Sequence, residues 1–302
     1  MLLLKQVVQE ESSLSNDTVI QLYPGVQQEL RLEGLYLQPV PNDARDAESP
    51  LVYTNFITSL DGRIAIDHPV SGERGVPEHI TNPRDWRLYQ ELAARADVLL
   101  VSARYLRELE QGKAQANVPL SDDPAFADLL SWRLQQGLDP QPAIVVLSAS
   151  LDLPLAVLQA LQHRRVYVAT GAKDTDKTDS IHNIERCGAR MLYSGDDARV
   201  EGRRLVAQLA QQGFRNMYSI AGPGVLETLL RAQVLDRIYL TQVHRLIGGI
   251  SFDTLFEGHL LNPPADFKLR ALYYDEHGGD NCGQFFGIYA LTGKFAANRS
   301  GN

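Results

Sequence analysis

The stretch Val52-Tyr-Thr-Asn-Phe-Ile-Thr-Ser-Leu-Asp-Gly-Arg-Ile-Ala-Ile66 decides how the chain is read. A β-rich run (Val52, Tyr53, Thr54, Phe56, Ile57) meets a polar break at Ser59 to Gly62, and apolar residues then resume, so an extended element ends in a turn. Asp61-Gly62 supplies that turn, because aspartate hydrogen-bonds the backbone two residues on and glycine accepts positive φ. Taken alone, the pair is a turn and nothing more.

C-terminal to this stretch, strand-like and helix-like segments alternate, the pattern of an α/β domain with a mostly parallel sheet. Pro83 to Arg95 predicts a helix, with proline in the first turn and apolar groups at Leu88, Leu92 and Ala96. Asp97–Val101 and Ala143–Leu147 predict buried strands, with a helix over Pro124–Leu134 between them. Leu153–Leu161 predicts a helix, Arg165–Ala169 a strand, and the charged tract Lys173–Ser180 an exposed loop. Ala189–Tyr193 and Asn216–Ile220 predict strands around a helix over Ala198–Gln212. Leu235–Val243 follows as a strand, and Phe267–Tyr274 with Gln284–Leu291 predicts an antiparallel hairpin. N-terminal to the stretch, residues 1–50 are expected to be an extension packed on the main domain or a partner, with the proline-bearing tract 39–50 as linker; residues 51–302 are the main domain.

The 302 residues are 44% hydrophobic, enough for a large core, and the formal charge of −8 contains no long run of one sign. That balance offers no footprint for nucleic acid, although a locally basic pocket for a small anion remains compatible with it. Two cysteines, Cys187 and Cys282, without a Cys-x-x-Cys pairing, point to a reducing cytoplasm. Neither a signal peptide nor a membrane span is expected. No zinc-deaminase signature, His-x-x-x-His pair or Gly-x-Ser-x-Gly elbow is present, so no metal site or serine nucleophile is expected.

A second motif is Ile220-Ala-Gly-Pro-Gly-Val-Leu-Glu-Thr-Leu-Leu230, in which a strand runs through Gly222-Pro223-Gly224 directly into a helix. Unpaired N–H groups and the positive end of the helix dipole then face one spot, which suits a phosphate. The same turn also serves as a plain strand-to-helix connection, and it lacks Rossmann and P-loop spacing. In a third stretch, Ala96-Asp-Val-Leu-Leu-Val-Ser-Ala-Arg-Tyr-Leu106, Arg104 is either a phosphate ligand or a solvated arginine at a strand end.

Together these three stretches, with Leu246-Ile-Gly-Gly249, resemble the riboflavin-pathway pyrimidine reductases, the reductase half of bifunctional deaminase-reductases, over residues 51 to 291. The resemblance implies an α/β, dihydrofolate-reductase-like fold: a mostly parallel central sheet flanked by helices with an antiparallel C-terminal hairpin. It implies an NADPH-dependent oxidoreductase that reduces a pyrimidine- or pterin-like substrate, and a homodimer. It places the cofactor at His79, Val101, Ser102, Ala103 and Arg104 and at Ala221, Gly222, Pro223, Gly224 and Val225. Thr58 and Ser59 are then expected to line the substrate edge. Asp61 is the candidate catalytic residue, orienting the substrate or relaying a proton. The chain departs from the family pattern at Tyr105 and Leu109 on the cofactor side. On the substrate side, Ala93 replaces an arginine and Ile220 a glutamate, which removes a phosphate ligand and a polar contact. Reduction of another heterocycle, or NADPH binding without turnover in a regulatory protein, fits the same departures.

Overall fold

The computed structural model of the protein describes residues 17–41, 43, 49–68, 72, 74–111, 123–220 and 222–292. Its strands are β1 (Thr18–Tyr23), β2 (Gln28–Arg31), β3 (Leu51–Thr58), β4 (Ala65–Asp67), β5 (Arg74–Gly75), β6 (Val98–Ser102), β7 (Ala143–Leu147), β8 (Val166–Thr170), β9 (Arg190–Tyr193), β10 (Asn216–Ser219), β11 (Arg237–Val243), β12 (Phe252–Asp253), β13 (Phe267–Asp275) and β14 (Gln284–Leu291). Its principal helices are α1 (Pro83–Arg95), α2 (Ala103–Glu110), α3 (Ala127–Gln135), α4 (Leu155–Ala160), α5 (Thr178–Arg186), α6 (Gly202–Gln211) and α7 (Pro223–Arg231). Eleven of the described strands form one sheet in the order β2-β1-β13-β14-β11-β3-β10-β6-β7-β8-β9, and β12-β4-β5 form a second, small one.

From β11 to β9 every neighbouring pair is parallel. Such strands are covered on both faces, which is why their sequences are almost unbroken apolar runs. Along β6, Leu99 and Val101 enter one core with Leu88, Leu92, Leu106, Leu158 and Ile184 from α1, α2, α4 and α5. Val98 and Leu100 enter the other, with Leu205, Leu209, Leu226 and Leu229 from α6 and α7. At the other end of the sheet, β14 pairs antiparallel with β11 and with β13, forming the C-terminal hairpin.

The β1–β2 hairpin extends the sheet beyond β13. The following segment is fastened from below by Glu91 of α1, whose fully buried carboxylate accepts the amides of Gly34 at 2.6 Å and Tyr36 at 2.9 Å and the Arg87 guanidinium at 2.9 Å. Of the tract 39–50, residues 42 and 44–48 lie outside the described residues, as do residues 1–16.

The tract 173–180 differs from the expected loop. Asp174 caps a short 3-10 turn at Thr175–Lys177, and α5 begins at Thr178. Its polar residues are the cap and first turn, where Asp and Thr satisfy free backbone N–H groups. The apolar contacts come later, from buried Ile181 and Ile184. The helix expected from Ala198 begins at Gly202, where a Cβ would stand 2.9 Å from the Ala232 side chain, so close approach of this helix start to the end of α7 requires glycine.

Candidate active site

The chain leaves neighbouring parallel strands in opposite directions at one place. After β6 it enters α2 on the first core's face, and after β10 it enters α7 on the second core's face. The crevice this opens at the carboxyl ends of the strands is where open α/β sheets bind ligands. Its two walls lie level, because the Ile220 amide donates to the Leu100 carbonyl at 3.1 Å, bringing Ser102 and Gly222 to corresponding positions two residues on.

Ser102 caps α2, its hydroxyl accepting the Tyr105 amide at 3.4 Å. Gly222 caps α7 with φ −67° and ψ −169°, a conformation open to any residue, and Cβ atoms at Gly222 and Gly224 would meet nothing within 4 Å. Neither strain nor packing within the protein calls for glycine here. Pro223 has no N–H and the Val225 amide donates to the Gly222 carbonyl at 3.1 Å, so what the two glycines leave open is the Gly224 amide at the positive end of the helix, which suits an anion. Ala221 lies outside the described residues. Pro223 occupies the first turn, and Val225 is buried beneath it. On the opposite wall Val101 and Ala103 are buried in the core, so only their backbone faces the crevice. Arg104 is exposed and pairs with Glu108 at 2.5 Å along α2.

β3 overhangs this crevice. Its pairing with β10 ends at Thr54 opposite Ser219, while its pairing with β11 continues to Thr58 opposite Gln242. For four residues, roughly 13 Å, β3 therefore has no strand neighbour on the β10 side. The Asp61 turn closes the outer end. Asp61 accepts the Ser59 hydroxyl at 2.5 Å, the Arg63 guanidinium at 2.6 Å and the amides of Ile247 and Gly248 at 3.3 and 2.9 Å. Burial by itself would raise its pKa, but the Ser59, Gly248 and Ile247 hydrogen bonds and the Arg63 charge outweigh it and set the group at about 2. Asp61 is thus held ionised as a clamp between two loops. Thr58 and Ser59, expected at the substrate edge, are buried, with their hydroxyls bonded to Ser59 O and to Asp61. They shape the turn from inside, because a tight turn uses its own hydroxyls first. His79 is exposed; its carbonyl accepts Arg245 at 2.5 Å, joining the loop before α1 to the loop after β11.

The sequence reading passes over the polar groups on the first-core face of the overhang. Asn55 accepts the Tyr218 hydroxyl at 2.5 Å. Asp85, in the first turn of α1, accepts the Thr241 hydroxyl at 2.5 Å, and Thr241 is registered opposite Ile57 within the overhang. Burial pushes the Asp85 carboxyl up to about 6 against the opposing Thr241 hydrogen bond. Asn55, a polar residue inside an otherwise apolar strand, was a visible signal. Asp85 was not, because an acid in a first helical turn is ordinary.

This mostly parallel sheet with covering helices, an antiparallel C-terminal hairpin and a cleft at the strands' carboxyl edge is the dihydrofolate-reductase-like fold. The chain belongs to the RibD C-terminal domain family, which matches residues 50–278. Among solved structures it is similar to a pyrimidine reductase-like protein from Corynebacterium diphtheriae, with 19% identity and a TM-score of 0.60 over 80% of this chain and 92% of that one. It is also similar to Acinetobacter baumannii RibD, with 19% identity and a TM-score of 0.55 over 82% of this chain and 59% of that one. A third is the diaminohydroxyphosphoribosylaminopyrimidine deaminase/5-amino-6-(5-phosphoribosylamino)uracil reductase of Thermotoga maritima, with 15% identity and a TM-score of 0.52 over 81% of this chain and 57% of that one. The chain thus spans less than two thirds of the length of the latter two. No curated protein sequence matches it. No helix among the described residues is long and apolar enough to cross a membrane.

Proposed function

We propose that the protein is an NADPH-dependent reductase of a pyrimidine- or pterin-like heterocycle, of the kind that reduces 5-amino-6-(5-phosphoribosylamino)uracil in riboflavin biosynthesis. One observation carries the reading: the crevice between the starts of α2 and α7, with Gly222 and Gly224 leaving the Gly224 amide at the start of α7 open, adjoins the overhang of β3. A dinucleotide phosphate fits the first site and a flat ring the second. The names of the similar structures, pyrimidine reductase-like protein and deaminase/reductase, support the same assignment.

When bound, NADPH supplies the hydride, so the protein needs no nucleophile of its own. Its residues hold and orient. The first turn of α7 takes a phosphate, with Ser102, Ala103 and Arg104 across the crevice. The Asp61 clamp keeps the loop 246–249 against the end of β3 and fixes the shape of the ring site, a positioning task in which small displacements cost rate. A homodimer is part of the proposal, checked by sedimentation velocity.

The test is a fluorescence titration with NADPH, followed by loss of nicotinamide absorbance when the ribosylaminopyrimidine phosphate is added. Binding with oxidation supports the riboflavin-pathway substrate. Binding without oxidation moves the proposal to another heterocycle or to a regulator, and no binding overturns the cofactor assignment. Another heterocycle has an observation in its favour: Ala93 lies fully inside the core, and Asp85 places a carboxyl at the overhang.

A further inference from the structure

Tyr36 stands in the segment after β2, N-terminal to the residues 50–278 that the family matches. Its backbone is fixed on both sides, the amide donating to Glu91 at 2.9 Å and the carbonyl accepting Arg95 at 2.7 Å. Its side chain is buried, with the ring against Tyr239 of β11 at a centroid distance of 4.8 Å. The hydroxyl at its tip is buried and has no hydrogen-bond partner among the described residues. A buried donor in that state costs free energy until it meets an acceptor.

The groups around it point to the acceptor. Facing the Tyr36 phenol are Asp85 and Glu91 of α1, Tyr239 of β11 and Tyr273 of β13. Burial and then the Asp85 charge hold the phenol well above its usual range, so it remains a donor. Glu91 is already spent on the amides of Gly34 and Tyr36 and on Arg87. Asp85 is held from the side by the Thr241 hydroxyl at 2.5 Å, and Thr241 lies two residues beyond Tyr239 on the same face of β11. The other groups near Asp85 are committed: Arg84 to Asp275, Arg87 to Glu91 and Asp128, and the Tyr218 hydroxyl of β10 to Asn55.

We propose that Tyr36 is a positioning residue of the ring site: its hydroxyl donates to the Asp85 carboxylate from the core side, and the N-terminal segment thereby sets the pH at which that carboxyl takes up a proton. Two residues along a strand span about 7 Å, a distance that the phenol and one bridging water cover. A donor to the charged form favours that form, so Tyr36 extends the pH range in which Asp85 is an acceptor and not a donor. The inference rests on reading the overhang as the reductase's ring site. It gives the segment before residue 50 a part in the site as well as in the packing of the first core.

The test is a carboxyl titration of the full chain, labelled with carbon-13 at the aspartate side-chain carboxyls and followed by NMR, with the Asp85 signal assigned by its loss in Asp85→Asn. NADPH is titrated into the same samples by fluorescence. Tyr36→Phe keeps the ring and removes the donor, and is expected to raise the Asp85 midpoint by about 0.5 to 1 pH unit while the Asp61 midpoint stays in place. Incorporation of 3-fluorotyrosine at position 36, a stronger donor, is expected to move the Asp85 midpoint the other way, and it tests the same contact should Tyr36→Phe not fold. An Asp85 midpoint that is the same with and without the hydroxyl, or one that rises with both replacements, overturns the inference and leaves Tyr36 a packing residue. Opposite shifts in a chain that ignores NADPH overturn the cofactor assignment and leave the link from Tyr36 to Asp85 standing.

Discussion

Asp61 and Asp85 flank the same strand, and their surroundings drive them apart. Asp61 titrates near 2 in the folded chain, below its ordinary 3.8, so its contribution is fully present above about pH 4 and is lost as pH falls through 2. Its side chain is 21% exposed, so solvent screens part of the effect. Asp61→Asn is expected to cost about 1–2 kcal/mol at pH 7, the deficit closing towards pH 2 in thermal unfolding measured against pH. Asp85 shows the opposite sign. Its pKa is raised to about 6, so ionisation favours the unfolded chain; the penalty is absent below pH 4, grows between 4 and 6 and is complete above. Asp85→Asn is therefore expected to stabilise the protein by about 1–2 kcal/mol at pH 8 and by nothing measurable at pH 3.5.

At the scale of elements, two glycines at the start of neighbouring helices do different work. Gly202 opens α6 where its Cβ would meet Ala232 Cβ at 2.9 Å and the Thr228 carbonyl at 3.1 Å. Neither atom is a free side-chain end, so Gly202→Ala should destabilise by about 1–3 kcal/mol in denaturant unfolding. Gly224 in α7 has open space, and Gly224→Ala should change stability by no more than about 0.5 kcal/mol. The same variant should lower NADPH affinity, because its methyl group stands in the approach to the helix amides. A stability loss at Gly224 without an affinity loss would remove the anion site from the proposal. Nothing in the two local sequences separates these roles: the first is set by a helix about 30 residues away, the second by the absence of any neighbour.

Across the whole molecule, the N-terminal hairpin is tied to the rest of the sheet through a side chain of α1. Arg84 donates to both oxygens of buried Asp275 and to the Thr18 carbonyl, linking α1, β13 and β1, and Asp275 also takes Gln284 at 2.8 Å. Removing residues 1–31 would leave β13 as an open edge and strip a cover from the first core, to which Val19 belongs. The shortened chain is expected to unfold at lower denaturant and to associate at higher concentration, as read by size-exclusion chromatography. Equal stability would show residues 1–31 to be an appendage.

Most buried strands and helices beyond residue 51 are legible in the sequence, whereas the β1–β2 hairpin and the capped helix start at 174–178 are not. Buried parallel strands such as Val98–Ser102 and Ala143–Leu147 are legible because burial on both faces leaves no room for polar residues. The helix Pro83–Arg95 is legible because its cap, its proline and its apolar spacing are all local. The two glycine-bearing turns were legible as turns for the same reason. Only the tertiary structure decided what stands beside what. The strand order that inserts β10 between β3 and β6 creates the crevice, and the unequal lengths of β3 and β10 create the overhang. Asp61 became a clamp through amides 186 and 187 residues away, and Asp85 a raised acid through its surroundings in the fold, against the lowering hydrogen bond of a hydroxyl 156 residues away. A carboxyl's charge state depends on burial and on its partners in space, and neither is written in the residues next to it.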